Sequence, residues 1–507
     1  MKTINYKIIL RILACTIIIG FLACSNDNST DEEKEPIEEV IKSLTASTNE
    51  IAFEKEQNSF DVTITTNVDT WVISSSGTNW ITLSQTTGGS GTTIVKITAL
   101  ENTDSERSSI ITINANQVTP IKITVTQMNG APTFEGLYPS YNTDPIDADQ
   151  TGMNSTAIEI AAKINLGWNI GNTLEATGGE TAWGNPKVTK ELIDLVKESG
   201  FNAIRIPCSW NQYLSNVTTA EIKTDWLDRV KEVVQYCVDN DMYVLVNIHW
   251  DGGWLENNVN EDKKEENNYK QKAFWEQIAT HLRDFDEHLL FASANEPAVD
   301  NASQMAVLTS YHQTFIDAVR STGGKNAYRT LVVQGPSTDI EKTNTLMTTL
   351  PTDTTTDRIM AEVHYYTPWQ FAGLTEDADW GKMFYYWGAD YHSETDPTRN
   401  ATLGEEAELD AFFASMKAKF VDQGIPVILG EFSATRRSEL TGDDLALHLA
   451  SRAYYHKYIV KQAKANGILP FYWDNGGLGN NASGLFDRQN NTVFDSDVLN
   501  AMLEGLN

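Results

Sequence analysis

The chain has 507 residues, 41% of them hydrophobic, and a formal net charge of −31. That length exceeds one ordinary domain and supplies enough apolar side chain for a large core. The negative charge argues against nucleic acid or an acidic membrane surface as partner, because both reward Lys and Arg.

The first residues, "MKTINYKIILRILACTIIIGFLACSNDN", carry Lys2, Lys7 and Arg11 and then an apolar run from Ile12 to Ala23. The run is short for a membrane span and reads as a targeting segment outside the fold. It ends at Cys24, after "FLA" and before polar residues, and so resembles a bacterial lipoprotein signal. The resemblance implies a signal peptide over residues 1–24 and lipidation at Cys24. Cys15 in "RILAC" is the weaker alternative, since apolar sequence continues past it, and an uncleaved anchor is a third. In each case the protein is exported and tethered, and the expected location is the cell outer membrane, lipid-anchored and surface-exposed. Residues 25–43 are polar and acidic and are expected to form a disordered tether. Their acidic cluster resembles export signals of surface lipoproteins.

Residues 44–128 alternate apolar and polar positions in "FDVTITTNVDTWVISSS", "TTIVKITAL", "IITINA" and "IKITVTQM", with "TTGGSGTT" and "ENTDSERSS" as turns. Short alternating strands at this spacing predict a small all-β sandwich. The span, with Trp71, Trp80 and Arg107, is similar to the BACON family of immunoglobulin-like modules. That resemblance implies either carbohydrate binding or a rigid spacer. The sequence shows no cluster of aromatics for an exposed platform, so Trp71 and Trp80 are expected inside and the spacer is favoured. Residues 129–150, with three prolines and no periodicity, are expected to be a linker.

Residues 151–507 alternate strand-like and helix-like runs. The strands are "INLGWNI", "NAIRIP", "YVLVNIHW", "HLLFASANE", "TLVVQG", "RIMAEVHYY", "PVILGEF" and "ILPFYWD". In "DWLDRVKEVVQYCVDN", Trp226, Val230, Val233, Val234 and Cys237 recur at helical spacing. Eight such strands alternating with helices predict an α/β fold, a (β/α)₈ TIM barrel, with its chemistry where the strands end. Cys208 and Cys237 make neither a disulfide framework nor a zinc site. They read as buried thiols, with one bridge between them left open.

The strand ends are polar where a buried parallel strand is usually apolar. Arg205 lies on the second strand, and His249 and Trp250 end the third. Asn295 and Glu296 end the fourth; His364, Tyr365 and Tyr366 the sixth; Glu431 the seventh; Trp473 and Asp474 the eighth. A lone His or Glu at a strand end is commonly structural or solvated. Two Glu on strands four and seven, across one barrel mouth, are the minimal equipment of a glycosidase. At ~5–5.5 Å separation one of them can act as nucleophile with retention.

The motifs "NEP" at Glu296 and "GEF" at Glu431, with Arg205, His249, Asn295, His364, Tyr366 and Trp473, resemble glycoside hydrolase family 5 over essentially all of residues 151–507. The strings "NLGWNIGNTLEA", "TAWGNPKVT", "EVHYYTPWQF" and "YWDNGGL" resemble its subfamily 4. The resemblance implies a retaining endo-β-1,4-glucanase, with Glu296 as acid/base and Glu431 as nucleophile. Xyloglucan is favoured, with mixed-linkage glucan or cellulose as alternatives and a non-catalytic surface glycan-binding protein as the rival class. Glu296 is expected to have a raised pKa, and Arg205 and Tyr366 to keep Glu431 ionised.

Asn295 is expected to bind the sugar 2-hydroxyl, His249 and His364 to hold hydroxyls and carboxylates, and Trp473 to floor the cleavage site. Asn172 is a candidate contact to a sugar hydroxyl. Trp183, Trp250, Trp254 and Trp369, next to loops after strands, are candidate sugar platforms or loop packing. The segment "ENNVNEDKKEENNY" (256–269) reads as a mobile solvated loop. No cofactor and no catalytic metal are expected, and a monomer is the default.

Overall fold

The computed structural model describes residues 41–55, 57–102, 107–127 and 137–507. The signal segment, Cys24 and nearly all of the acidic tether lie outside the described residues. The chain divides into two compact units, Met1–Thr133 and Phe134–Asn507.

The described part of the first unit is a two-sheet sandwich. One sheet runs in the order Leu44–Ala46, Asn58–Thr66, Gly91–Ala99, Ile81–Leu83. The other runs Glu50–Phe53, Ile121–Gln127, Arg107–Ala115, Trp71–Ser75, Thr87–Gly88. Alternation in sequence becomes alternation in space: Val62, Ile64, Val95, Ile97, Ile111, Ile113, Ile123 and Val125 meet between the sheets. Trp71 and Trp80 are buried with them, and the Arg107 guanidinium lies 4.6 Å from the Trp80 ring centre.

In the second unit each of the eight predicted runs contains one strand of a closed parallel barrel. These are β1 (Gly167–Ile170), β2 (Ala203–Ile206), β3 (Tyr243–Asn247), β4 (Leu289–Ala292), β5 (Leu331–Gln334), β6 (Ile359–Tyr365), β7 (Val427–Phe432) and β8 (Ile468–Asp474). Outward residues such as Ile204, Val244, Phe291, Val333 and Leu429 pack under the surrounding helices. Among those helices is Thr224–Val238, whose buried face includes the predicted Trp226, Val230, Val233, Val234 and Cys237. Cys208 and Cys237 are both free and buried.

Inward residues change character along each strand. Low in the barrel, Ala203, Tyr243, Leu245, Leu290, Val332, Met360, Ile428 and Leu469 form a dry cluster with Ile160 and Ile164. Two positions further along their strands, the inward side chains of β2, β3, β5 and β6 are Arg205, Asn247, Gln334 and Glu362, all fully buried. The polar layer is thus part of the barrel interior and lies beneath the rim.

Two sequence expectations need correction. The expected linker is, from Leu137 onward, attached to the barrel unit. The Ser140 hydroxyl and the Tyr141 and Asn142 amides donate to the Glu276 carboxylate, and Ile146–Ala148 pairs with Gly323–Gly324. Buried Glu276 needs donors, and this segment supplies them. The expected mobile loop 256–269 is instead a short 3₁₀ turn, Glu256–Asn258, followed by the helix Glu261–Leu282. The Asn260 side chain caps that helix on the Lys263 amide. Glu256, Asn267 and Asn268 are buried.

Candidate active site

Glu431 reaches the mouth of the barrel through a register shift. Val363 pairs with Leu429 but His364 pairs with Glu431, so Gly430 is the extra residue of a bulge. Bulges re-aim side chains next to functional sites. Glycine is required there, because a Cβ on residue 430 would collide with Glu362 Oε1.

The Glu431 carboxylate takes one donor on each oxygen. Arg205 Nη1 donates to Oε1 at 2.7 Å and the Tyr366 hydroxyl to Oε2 at 2.9 Å. Arg205 is itself fixed: Nη1 also donates to Asn169 Oδ1 at 3.0 Å, Nη2 to Asn295 Oδ1 at 2.8 Å, and Nε lies 3.1 Å from Glu362 Oε1. Because Asn295 Oδ1 is occupied, its amide NH₂ is the end that faces other partners, the Glu256 carboxylate among them.

Glu296 sits opposite, at the end of β4. Its backbone amide donates to Glu256 Oε1 at 2.7 Å, and its Oε1 is 2.7 Å from His364 Nδ1. Its side chain is 43% exposed against 6% for Glu431, so one carboxyl opens to the cleft while the other is packed into the wall. One oxygen from each Glu and a ring nitrogen of His364 all lie within 4.8 Å of one another. That spacing suits direct attack by one carboxylate and leaves no room for a water between them, as an inverting site needs. The same three groups are the one such potential ligand cluster among the described residues. Both Glu431 oxygens and His364 Nδ1 already have hydrogen-bond partners.

The charges explain the protonation states. Burial works against a charged His364, but Glu431, Glu296 and Glu362 overcome it and raise the ring to about 10. Burial would likewise raise Glu296, yet the His364 hydrogen bond and charge, with Arg205, hold it below the usual carboxylate range. Glu431 is raised by burial, which outweighs the stabilisation from His364, Arg205 and Tyr366. This reverses the order expected from sequence. The difference is His364, whose ring carries the proton beside Glu296. Two carboxyls this close titrate as a pair. His249 is pushed well below its usual value by burial and by the charges of Arg205 and His364, so it is a neutral ring. It lies parallel to Trp473, with centres 5.6 Å apart.

A cleft of about 390 Å³ opens over these groups, lined by Glu296, Tyr366, Trp369, Glu431, Trp473 and Asn475 among others. Asn475 also lines an adjoining hollow of about 210 Å³ with Asn172 and Trp183. Trp369 and Trp183 are half-exposed. Trp250 is exposed after β3 but is not among the side chains lining either hollow. Trp254 is loop packing: its indole donates to Asp251 and its ring meets Phe274 edge-on.

Sequence reasoning missed Asn169, Gln334, Glu362 and Glu256. Three of them lie in the barrel interior at inward, period-two positions of their strands, a signal the strand register carries. Glu256 was hidden in the stretch read as a loop.

The family description Cellulase (glycosyl hydrolase family 5) matches residues 169–479, and BACON, a putative N-terminal binding domain, matches residues 69–128. The chain is 35% identical over 457 residues to the xyloglucan-specific endo-beta-1,4-glucanase BoGH5A of Bacteroides ovatus, covering 86% of each. It is 37% identical over 393 residues to endoglucanase A of Paenibacillus barcinonensis, covering 73% of this chain and 94% of that one. A solved Bacteroides ovatus GH5 xyloglucanase in complex with a XXXG heptasaccharide superposes with a TM-score of 0.68 at 33% identity, over 92% of this chain and all of that one. With a barrel, two converging carboxyls and these matches, the chain belongs to glycosyl hydrolase family 5 and carries an N-terminal BACON domain.

Proposed function

We propose that the protein is a retaining endo-β-1,4-glucanase whose preferred substrate is xyloglucan. The observation that carries the reading is the approach of Glu296 and Glu431 to within 4.8 Å in one open cleft, one held by two donors and the other beside a protonated ring. Glu431, once ionised, attacks the anomeric carbon. The bond to the leaving sugar breaks, and Glu296 delivers a proton to the departing oxygen. In the second half Glu296 takes a proton from water, and that water displaces the Glu431 ester. Arg205 and Tyr366 aim the nucleophile; the amide NH₂ of Asn295 meets the sugar 2-hydroxyl. Trp473 and neutral His249 form the floor, while Trp369, Asn172 and Trp183 extend the binding surface.

The xyloglucan preference is supported by likeness to the Bacteroides ovatus enzyme over both units. A second reading, cellulose or mixed-linkage glucan as preferred substrate, is favoured by the likeness to endoglucanase A. Reducing-end release on xyloglucan, carboxymethyl-cellulose, mixed-linkage glucan, xylan and mannan decides between them: the highest kcat/KM identifies the substrate. Glu431→Ala is expected to abolish release. Unchanged release in that variant would sink the catalytic assignment and leave a glycan-binding role.

The protein acts as a lipid-anchored enzyme of the outer membrane, attached through Cys24 and facing outward. The support is the signal-like N-terminus. Radiolabelled palmitate incorporated by the wild type and lost in Cys24→Ala, followed by protease shaving of intact cells, tests attachment and facing in turn. The sandwich serves as spacer, a role supported by Phe60 being the one exposed aromatic ring among its described residues.

A further inference from the structure

Glu362 takes no part in the steps above. It lies two residues before His364 on β6, fully buried and out of reach of the cleft. Keeping a carboxylate there is costly unless every oxygen is used, and this one is held on all sides. Oε1 faces Arg205 Nε at 3.1 Å from β2 and His364 Nε2 at 3.2 Å from its own strand. Oε2 accepts from Gln334 Nε2 at 2.5 Å from β5. On β7 the chain makes room for it with the side-chain-free Gly430. Glu431 and Glu296 are the remaining charges in range, both across His364.

The consequence falls on the imidazole. An acidic oxygen at Nε2 requires Nε2 to keep its hydrogen. The atom free to gain or lose a proton is then Nδ1, and Nδ1 is the atom 2.7 Å from Glu296 Oε1.

We propose that Glu362 is a positioning residue for proton transfer, fixing His364 in its Nε2–H form so that the proton delivered by Glu296 is stored on His364 Nδ1. The proposal rests on the double-displacement reading above. In the first half-reaction the Nδ1–H bond breaks as an O–H bond forms at Glu296, which passes a proton to the leaving oxygen. His364 is left neutral, still donating from Nε2 to Glu362. In the second half Glu296 takes a proton from water and returns it to Nδ1, restoring the imidazolium. The raised pKa of His364 and the lowered one of Glu362, whose burial is outweighed by Arg205, His364 and Gln334, agree with this charge pattern. Glu256, raised to about 7 by burial, sits behind the Glu296 amide and has no hydrogen bond or ion pair to His364.

Glu362→Gln removes the charge with little change of shape. Losing a negative group beside His364 lowers its proton affinity, so the alkaline limit of kcat/KM on β-glucan is expected to move down by about one pH unit. On the polysaccharide kcat falls at least ~10-fold, with KM within about threefold. On a dinitrophenyl β-glucan oligosaccharide, whose leaving group needs no acid, glycosylation falls less than about threefold.

An unmoved pH limit would overturn the proposal. So would equal losses on both substrates, which would place the effect in Arg205 and Glu431. If the variant does not fold, nitrogen-15 NMR of histidine-labelled wild-type enzyme decides: both His364 nitrogens protonated at neutral pH supports the storage site, and a neutral Nδ1–H ring overturns it. A wild type inactive on every β-glucan marks failure of the underlying reading instead.

Discussion

The lower and upper halves of the barrel interior are built from the same strands by the same period-two alternation, yet they do different work. Below, Leu245, Leu290, Met360 and Ile428 close a dry plug. Above, Arg205, Asn247, Gln334 and Glu362 fill the next inward positions. The lower layer stabilises through apolar area removed from water. The upper layer contains buried charges that are tolerated only because each meets its complement. One strand therefore carries both a stability element and a catalytic element, two residues apart. The sharpest way to break the comparison is at the rim itself. Glu296→Gln is expected to lower kcat on β-glucan by roughly 10²–10⁴-fold with the melting temperature little changed, as measured by reducing-sugar assay and calorimetry.

One layer down, Arg205→Ala should damage both properties. It takes from Glu362 and Glu431 one of the two cations they share, leaving only His364, at a cost of about 4 kcal/mol in unfolding free energy by denaturant titration, with activity lost as well. Lower still, Leu245→Ala opens a cavity in the plug and should cost about 3 kcal/mol. Its kcat/KM per folded molecule should stay within about twofold of wild type. If Leu245→Ala lost activity as steeply as Glu296→Gln, the two layers would not be separable.

This layering also explains what was legible in the sequence. The eight strands were readable because their outward faces are uninterrupted apolar runs. The strand-end residues were readable because a Glu or His closing such a run conflicts with burial. Glu362 and Asn169 were harder, since each lies inside a strand and most of its partners come from other strands, β2 and β5 for Glu362 and β2, β7 and β8 for Asn169. The helix Glu261–Leu282 was missed for a different reason. Its buried face contains Asn267, Asn268, Gln271 and Glu276, so apolar periodicity is absent where the segment begins. The cap at Asn260 and the acids of the first turn, Glu261 and Asp262, were the available signal. The attachment of residues 137–150 to the barrel rests in part on Glu276, and that part was invisible for the same reason.

The smallest effect separates the layers by pH. His364 has a folded pKa of about 10 against a usual value of 6.5. A group raised on folding binds its proton more tightly in the native state. Its contribution to stability is full below about pH 6.5, declines above it, and is gone once pH passes about 10. Replacing His364 by Asn removes this contribution, so the gap in melting temperature between wild type and His364→Asn should narrow as pH rises from 6.5 toward 10. Leu245→Ala, which touches no titrating group, should show a gap that does not change with pH. A gap for His364→Asn that is equally flat would mean that the ring is neutral in the folded protein, and that the upper layer holds its carboxylates without it.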